Sequence, residues 1–524
     1  MESSRGRTEL TQLLRGSFLN LAGGVLTAAS GFVSVYLLTR LLTDLSEFGA
    51  FLTAVAVINL GGRLSQLGTG TGLIRFISRA RAHDRPGDVP AIVFVGVVPA
   101  LGLAVLLGVL IVVGADVIAP RIAAADSERV AHHLRMAGWF LPSVTMVATL
   151  TAATRGWGTM LPATMIANLL RPGLQLVGLG LLVALAIRSP DTTALVYWSP
   201  MAVAAVAAAV VLSAMVRRTA PHPTTSPRVA GPYWRFTGPR SVASGFASGI
   251  EWSDALFVAA IAGPRAAGIY TASTRLLTIG RTVQFAATQA LLPQVSRLLA
   301  VDDTVAAQRV FRTAATWSIT LTWPWFVLVL LYAEPLLAIF GPEFASGAPA
   351  VRILALAWMV GTALGPVEAV LLMAGRSVLN VMDLGAALTV NVVLNLLLIP
   401  RLGLTGAALA WLGSILVNNL APLVQVRAAT GMTPLDTAAG RIALAALASF
   451  GGSGALGRAL VGPTLFGLVI AGVSGAVAYL LLLWRIDPQG RLRQAVLALL
   501  YRRRNVIGTS DPVDEPAREA RLSR

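Results

Sequence analysis

The sequence predicts an all-α polytopic membrane protein: about 14 transmembrane helices, in two parallel six-helix lobes around a central cavity plus two C-terminal helices. Three observations predict it. The 524 residues are 56% hydrophobic and only 12% charged, whereas a soluble domain carries about 25% charge. Apolar runs of spanning length, about 20 residues, recur along the chain. The two halves also match each other at a nearly constant offset.

The elements follow in order. Residues 1–16 are polar and basic (Arg5, Arg7, Arg15) and read as a cytoplasmic N-terminus. The apolar run after them is too long for a signal-peptide core and reads as an uncleaved first span. Six spans near 17–39, 48–72, 91–114, 134–155, 159–187 and 194–216 form an N-terminal lobe, 17–216. A Pro-rich basic linker, 217–240, follows. Spans near 241–263, 266–294, 310–332, 350–374, 378–399 and 403–427 form a C-terminal lobe, 241–427. Runs 439–459 and 463–484 give helices 13 and 14 within 428–485. The tail, 486–524, is polar and reads as cytoplasmic, with 490–504 suited to lying on lipid headgroups. The spans 48–72 and 266–294 are the least apolar, because both carry arginine.

The formal net charge is +17 with no lysine, so all 41 basic residues are arginine. With the N-terminus in the cytoplasm, the cytoplasmic segments hold a roughly threefold excess of arginine over the outside segments, as the positive-inside rule expects. Both termini are then cytoplasmic. The basic excess needs no nucleic acid. Absent lysine excludes a Walker A motif and a Schiff base. Absent cysteine excludes disulfides, thiolate metal sites and cysteine nucleophiles.

The internal repeat rests on paired landmarks. Gly49 matches Gly268, Ser78-Arg79 matches Ser296-Arg297, Asp116 matches Glu334, Trp139 matches Trp358 and Gly156 matches Gly375. An even number of spans per repeat makes the halves parallel, and such transporters bind substrate between the halves near mid-membrane.

Charges inside spans are costly and persist where they face a wet cavity or a partner. Arg63 and Arg281 are repeat mates near mid-depth, so they are expected to face each other across the cavity as an anion site. Guanidinium binds phosphate in bidentate fashion and stays protonated. The competing reading is that each is neutralised by a carboxylate or carbonyls. Arg171 joins Asn168 and Gln175 on one polar face of span 5. Thr271, Arg275, Thr278, Thr282 and Gln289 form a second polar stripe on span 8, also readable as interhelical hydrogen bonding. Glu251 and Asp254 lie one turn apart on span 7. They could share a proton or hold Na⁺ and so couple transport to an ion gradient, or simply pair with Arg275 or Arg281. Glu368 and Asp383 are expected to pair with arginines near the cavity mouth. His83, His132, His133 and His222 read as solvated loop residues without metal spacing. Gly68 to Gly72 reads as close helix packing. Trp198, Trp234 and Trp484 read as an interfacial belt.

Several stretches resemble a known family: Asn20, then Tyr36 to Leu41, Glu47-Phe48-Gly49, Leu67-Gly68 with Arg75 and Ser78-Arg79, Ala267 to Tyr270, Leu292-Pro293, Phe340 to Phe344 and Ala374-Gly375-Arg376. Over about residues 10–485 the chain resembles the polysaccharide-transporter (oligosaccharide flippase) branch of the multidrug/oligosaccharidyl-lipid/polysaccharide flippase superfamily. The resemblance implies two lobes in a V with a cavity open to one side at a time. It implies translocation of polyprenyl-pyrophosphate-linked oligosaccharide across the bacterial plasma membrane for cell-surface polysaccharide assembly. It also implies pyrophosphate-binding cavity arginines, for which Arg63, Arg281, Arg275 and Arg171 are the candidates.

The expected function is therefore a lipid-linked oligosaccharide flippase working by lobe rocking, with no cofactor and no metal. Its expected partners are the lipid-linked glycan, membrane lipid, H⁺ or Na⁺, and polysaccharide assembly enzymes. The alternatives are a multidrug/cation antiporter of the same fold, which requires a small, acidic cavity, and a peptidoglycan lipid-precursor flippase. A membrane glycan polymerase or glycosyltransferase needs a sizeable outside loop. The longest outside segment, about 115–133, is too short for that, so the chain is not expected to be an enzyme.

Overall fold

The computed structural model describes residues 23–219, 229–301 and 303–486, and these are helical apart from short connections. The first half comprises α1 (Gly23–Leu41), α2 (Leu45–Ser65), α3 (Thr69–Ala82), α4 (Val89–Val113), α5 (Ala115–Ile122), α6 (Ser127–Gly138), α7 (Leu141–Arg155), α8 (Leu161–Ala184) and α9 (Pro190–Thr219). The second comprises α10 (Ala230–Ala262), α11 (Pro264–Ala300), α12 (Thr304–Ala338), α13 (Ala348–Ala363), α14 (Val367–Met373), α15 (Ser377–Leu402) and α16 (Leu404–Thr430). Two more follow, α17 (Thr437–Val461) and α18 (Leu465–Ile486).

Among the described residues, 11 helices are long and apolar enough to cross a membrane, or up to 12 when a pair bent by 46°, Ala124–Gly138 with Leu141–Arg155, counts as one span. The rods α10 (33 residues) and α11 (37 residues) have the length, about 50 Å or more at 1.5 Å per residue, but not the apolarity. A count of 14 needs both to cross. Both carry arginines and other polar residues along their length, which is why hydropathy alone passes over them. Part of the expected linker is helix, because α10 already begins at Ala230. The basic N-terminal residues, His222 and the expected surface helix at 490–504 lie outside the described residues.

The repeat is visible in the element order, since α2–α3 corresponds to α11, α4 to α12, α6–α7 to α13–α14, α8 to α15 and α9 to α16. It extends to an ion pair. Asp116 binds Arg135, 19 residues on, and its mate Glu334 binds Arg352, 18 residues on, at 2.8 Å. Glu334 also meets Arg458 of α17 at 3.4 Å, and Tyr332 donates to the Gly454 carbonyl at 3.1 Å. These contacts fasten α17 to the second half. Asp44, Asp303 and Asp436 cap α2, α12 and α17 by accepting from backbone N–H groups.

The two halves close on each other at the Leu41 end of α1. Gly49 of α2 lies so near Pro264 that a Cβ would sit 1.8 Å from the Pro264 carbonyl oxygen, so only glycine permits this crossing. Gly268 meets Phe48 in the same contact. Phe48 packs edge-on against Phe344 at 5.6 Å, Phe32 lies 5.0 Å from Phe340, and Arg40 donates to the Ile339 carbonyl at 3.3 Å. Toward the Gly23 end the bridge is α10 instead. Its buried Tyr233 packs against Phe76 of α3, and its Thr237–Ser241 backbone lies against Gly68. Gly68 (φ +67°) and Leu67 (φ +50°) hold the left-handed break between α2 and α3. The Ala262 half of α10 instead binds α15, through Ser253 to Asn391 at 2.8 Å.

Two surface expectations are corrected. His132 and His133 lie within α6, not in a loop, and His133 is 1% exposed, bonded to Glu47 at 2.7 Å and edge-on to Phe51. Trp198 is buried and stacked on Phe140 in the core of the first half, whereas Trp484 is exposed as a belt residue would be. A tryptophan near a span end carries no sequence mark distinguishing these fates.

Candidate functional site: an arginine- and tryptophan-lined cavity

Between the halves lies a cavity of about 520 Å³, within the roughly 300–1,000 Å³ range of ligand pockets. One wall is α1, which presents Gly24, Thr27, Ala28 and Gly31, small residues at helical spacing that leave the space open. Opposite stands α11 with Thr271, Thr274, Arg275, Thr278, Arg281 and Thr282. The polar stripe expected on span 8 is therefore a cavity wall, except Gln289, whose side chain lies outside the described ones. Thr274, Thr278 and Thr282 donate to carbonyls of their own helix, which leaves their oxygens able to accept.

The charges are distributed unevenly. Arg281 lies 3.5 Å from Glu251 and 5.0 Å over the Trp358 ring. Arg275 has no carboxylate partner among the described residues, and its buried Nε donates to nothing. Arg155, the last residue of α7, also lines the cavity. Arg171 is half-buried outside the lining. It shares Tyr197 with Arg275 as an electrostatic neighbour, which places it just behind the wall. The lining thus holds three guanidiniums and two carboxylates, Glu251 and Asp254.

Arg63 does not meet Arg281 across the cavity. It is exposed and outside the lining, on a turn of α2 whose Gly61 and Gly62 face Leu141 and Val144. The repeat arithmetic fixed its depth, but α2 is rotated so that this position does not reach the cavity. A position that does reach it is Arg155, the last residue of α7. Asn168 lines the cavity, but Gln175 is buried elsewhere. The π-helical turn Thr164–Leu170 separates them, because its wider spacing breaks the 3.6-residue face expected for Asn168, Arg171 and Gln175.

Aromatic residues complete the lining. Trp252, Trp358, Trp411 and Tyr270 face it, and the Trp358 and Trp411 rings lie 6.2 Å apart. The buried indole N–H groups of Trp252 and Trp411 have no acceptor. Sequence reading missed both. With Arg275 Nε they make three buried donors at one cavity without partners. Each buried unsatisfied donor costs about 1–3 kcal/mol, and a small turn of these side chains would bring the N–H groups into the cavity.

Asp254 is 3% exposed and pairs with no arginine. Its Oδ1 accepts from Asn391 at 2.9 Å and Asn395 at 2.7 Å, and its Oδ2 from Tyr270 at 3.0 Å. The Asn395 amide oxygen has no donor. A carboxylate among neutral groups, beside a free carbonyl-type oxygen, has the donor set for a small hard cation. Glu368 and Asp383 likewise do not pair with arginines. Gln425 donates to Asp383 at 2.8 Å, and Glu368 lies against Asn380. No group of three or more His, Cys, Asp or Glu residues lies together among the described residues.

The comparisons agree with this architecture. No curated protein matches the chain by sequence. Among solved structures, the lipid II flippase MurJ in an inward closed conformation aligns with TM-score 0.67 at 12% identity, over 91% of this chain and 99% of that one. An inward-facing multidrug resistance MATE family transporter of the MOP superfamily aligns with TM-score 0.63 at 15% identity, over 79% and 97%. A MOP superfamily transporter from Pyrococcus furiosus, described as having a binding pocket of reversed polarity, aligns with TM-score 0.56 at 16% identity, over 80% and 94%. At these identities the likeness is one of fold. The family described as polysaccharide biosynthesis protein matches residues 13–299, more than half of the chain. The chain thus belongs to the family described as polysaccharide biosynthesis protein, with a many-helix fold like that of the MOP-superfamily transporters.

Proposed function

We propose that the protein flips a polyprenyl-pyrophosphate-linked oligosaccharide across the bacterial plasma membrane for cell-surface polysaccharide assembly. The observation that carries this reading is the cavity lining, in which the three arginines Arg155, Arg275 and Arg281 stand with Trp252, Trp358 and Trp411 against only two carboxylates. Guanidinium and indole N–H groups suit phosphate and hydroxyl oxygens, and indole faces suit the apolar faces of sugar rings. Hydrated charge does not enter about 30 Å of hydrocarbon unaided. The cavity offers the head group fixed donors in place of water, while the polyprenyl chain stays in the bilayer between the halves.

With both termini cytoplasmic, the Leu41 end faces outward, and the packing at Gly49, Phe48 and Phe344 is a closed outer gate. The cavity is then loaded from the cytoplasm, and rocking of the halves about α10 carries the head group across. Asp254 with Asn391, Asn395 and Tyr270 is the coupling site for H⁺ or Na⁺. Glu251 serves instead as the counter-charge of Arg281. A cationic drug is the poorer fit, because the one lining carboxylate without an arginine already accepts three hydrogen bonds.

The test is a titration of the purified full-length protein with a polyprenyl-pyrophosphate disaccharide, read by tryptophan fluorescence, with inorganic pyrophosphate as competitor. Saturable quenching reversed by pyrophosphate is the expected result. Quenching by a cationic dye but not by the glycolipid contradicts the reading.

A further inference from the structure

A second polar cluster lies away from the cavity, at the Gly23 end of the second half, where α14, α15 and α16 meet. It contains Glu368 on α14, Asn380 and Asp383 one turn apart on α15, and Gln425 on α16. Asn380 and Asp383 are each 5% exposed. The Gln425 amide donates to Asp383 Oδ1 at 2.8 Å. The Glu368 carboxylate lies against the Asn380 amide and next to Asp383. No ion pair reaches either acid among the described residues, and Arg376, at the α14–α15 turn, is exposed.

Three buried oxygens here accept no hydrogen bond: Asn380 Oδ1, Asp383 Oδ2 and Gln425 Oε1. They belong to three residues that already touch one another or Glu368. The Gln425 amide turns its N–H group toward Asp383, so its oxygen is left over for something else. A donor side chain would have answered one of them, and none does among the described residues. Buried oxygens without donors are costly, and two neighbouring carboxylates without a cation are more so. Both problems vanish with a single occupant, a positive ion that takes oxygen ligands.

We infer that Glu368, Asn380, Asp383 and Gln425 form a binding site for a hard metal cation that ties α14, α15 and α16 together. Carboxylate and amide oxygens select Na⁺, Mg²⁺ or Ca²⁺ over softer metals. Two carboxylates with two neutral amides are charge-balanced by a divalent ion, so Mg²⁺ or Ca²⁺ is the preferred occupant. The site is separate from the one at Asp254. Both use α15, but Asp383 precedes Asn391 by eight residues, about 12 Å along the helix. An ion bound here braces the first turns of α15, the helix that carries Asn391 and Asn395, the partners of Asp254, which would make rocking of the second half depend on divalent ions.

The test uses the full-length protein in lipid nanodiscs, stripped with chelator and held in choline chloride. Calorimetric titrations with Ca²⁺, Mg²⁺ and Na⁺ at fixed ionic strength are paired with thermal unfolding. The wild type should bind one Ca²⁺ or Mg²⁺ saturably at this site and unfold at a higher temperature when loaded, whereas Na⁺ binding that is lost in Asp254→Asn belongs to the other site. Asp383→Asn and Asn380→Ala should weaken that binding at least tenfold, and Asp254→Asn should leave it in place. No saturable binding of any of the three ions by the wild type overturns the inference, and that measurement needs no variant to fold. Binding lost in Asp254→Asn, or kept in Glu368→Gln/Asp383→Asn, assigns the ion elsewhere. Unfolding that responds to pH but to no metal ion assigns the site to a shared proton instead.

Discussion

Replacing Arg275 with Gln separates a transport role from a structural one more cleanly than any other change at the cavity. The residue has no carboxylate partner among the described residues, and its buried Nε is bonded to nothing. Folding therefore loses no identifiable hydrogen bond when the guanidinium goes, and Gln keeps most of the stem that packs on α11. The melting temperature should stay within about 2 °C, as for substitutions that break no named interaction. Translocation should suffer. A charge-assisted hydrogen bond is worth about 1.5–3 kcal/mol, and each 1.4 kcal/mol is about tenfold, so flipping should slow about 10- to 100-fold. The assay is outer-leaflet exposure of lipid-linked glycan in proteoliposomes, with Arg63→Gln as the matched control at similar depth but outside the lining. The control should transport within about twofold of wild type, an effect of under 0.5 kcal/mol. The reasoning is refuted if Arg275→Gln flips at the wild-type rate, or if it fails only because the protein unfolds.

Other outcomes follow from the same geometry. Trp411→Phe replaces the indole with a phenyl ring and removes an N–H that bonds to nothing; glycolipid affinity should fall about 3- to 10-fold, one neutral hydrogen bond's worth, while the melting temperature does not drop by more than the smaller ring's lost packing. Asp254→Ala strands the donors of Asn391, Asn395 and Tyr270 and should cost at least about 3 kcal/mol of stability. Asp254→Asn should cost less and abolish the ion dependence of transport, as followed by flipping under imposed Na⁺ and H⁺ gradients. Gly49→Ala puts a methyl group where the Pro264 carbonyl stands and should force the outer contact apart. Cross-linking of Phe32→Cys to Phe340→Cys, in a chain with no cysteine of its own, should drop at least twofold, a shift of about 0.4 kcal/mol, and an unchanged yield would show that the contact is not a gate.

Repeat position was readable in the sequence and azimuth was not. Apolar runs located most of the helices, and the 218-residue spacing placed Arg63 and Arg281 on corresponding helices of the two halves. Which way a helix is turned depends on its neighbours, so Arg281 reached the cavity and Arg63 did not. Arg275, Thr278 and Thr282 were legible because they recur at helical spacing on one face of α11. Arg155 was not, because a terminal arginine on a span looks like any positive-inside residue. Trp252 and Trp411 were hidden for a similar reason: tryptophan fills cores, belts and binding walls alike, and only the missing acceptor at each indole marks them out. The partners of Glu368 and Asp383 were misjudged because amides ten or more residues away in sequence leave no local pattern. The bend at the π-turn in α8 defeated the stripe of Asn168, Arg171 and Gln175, since a face drawn at 3.6 residues per turn assumes an unbroken α-helix.

The account stands most directly on what the cavity carries. Proteoliposomes holding the purified protein should be loaded in parallel with a fluorescent polyprenyl-pyrophosphate disaccharide and with a cationic dye, and the movement of each followed under the same ion gradient. The glycolipid should cross at a saturable rate that falls with Arg275→Gln, and the dye should stay at the rate of protein-free vesicles. Movement of the dye, with the glycolipid left in its original leaflet, would contradict the account.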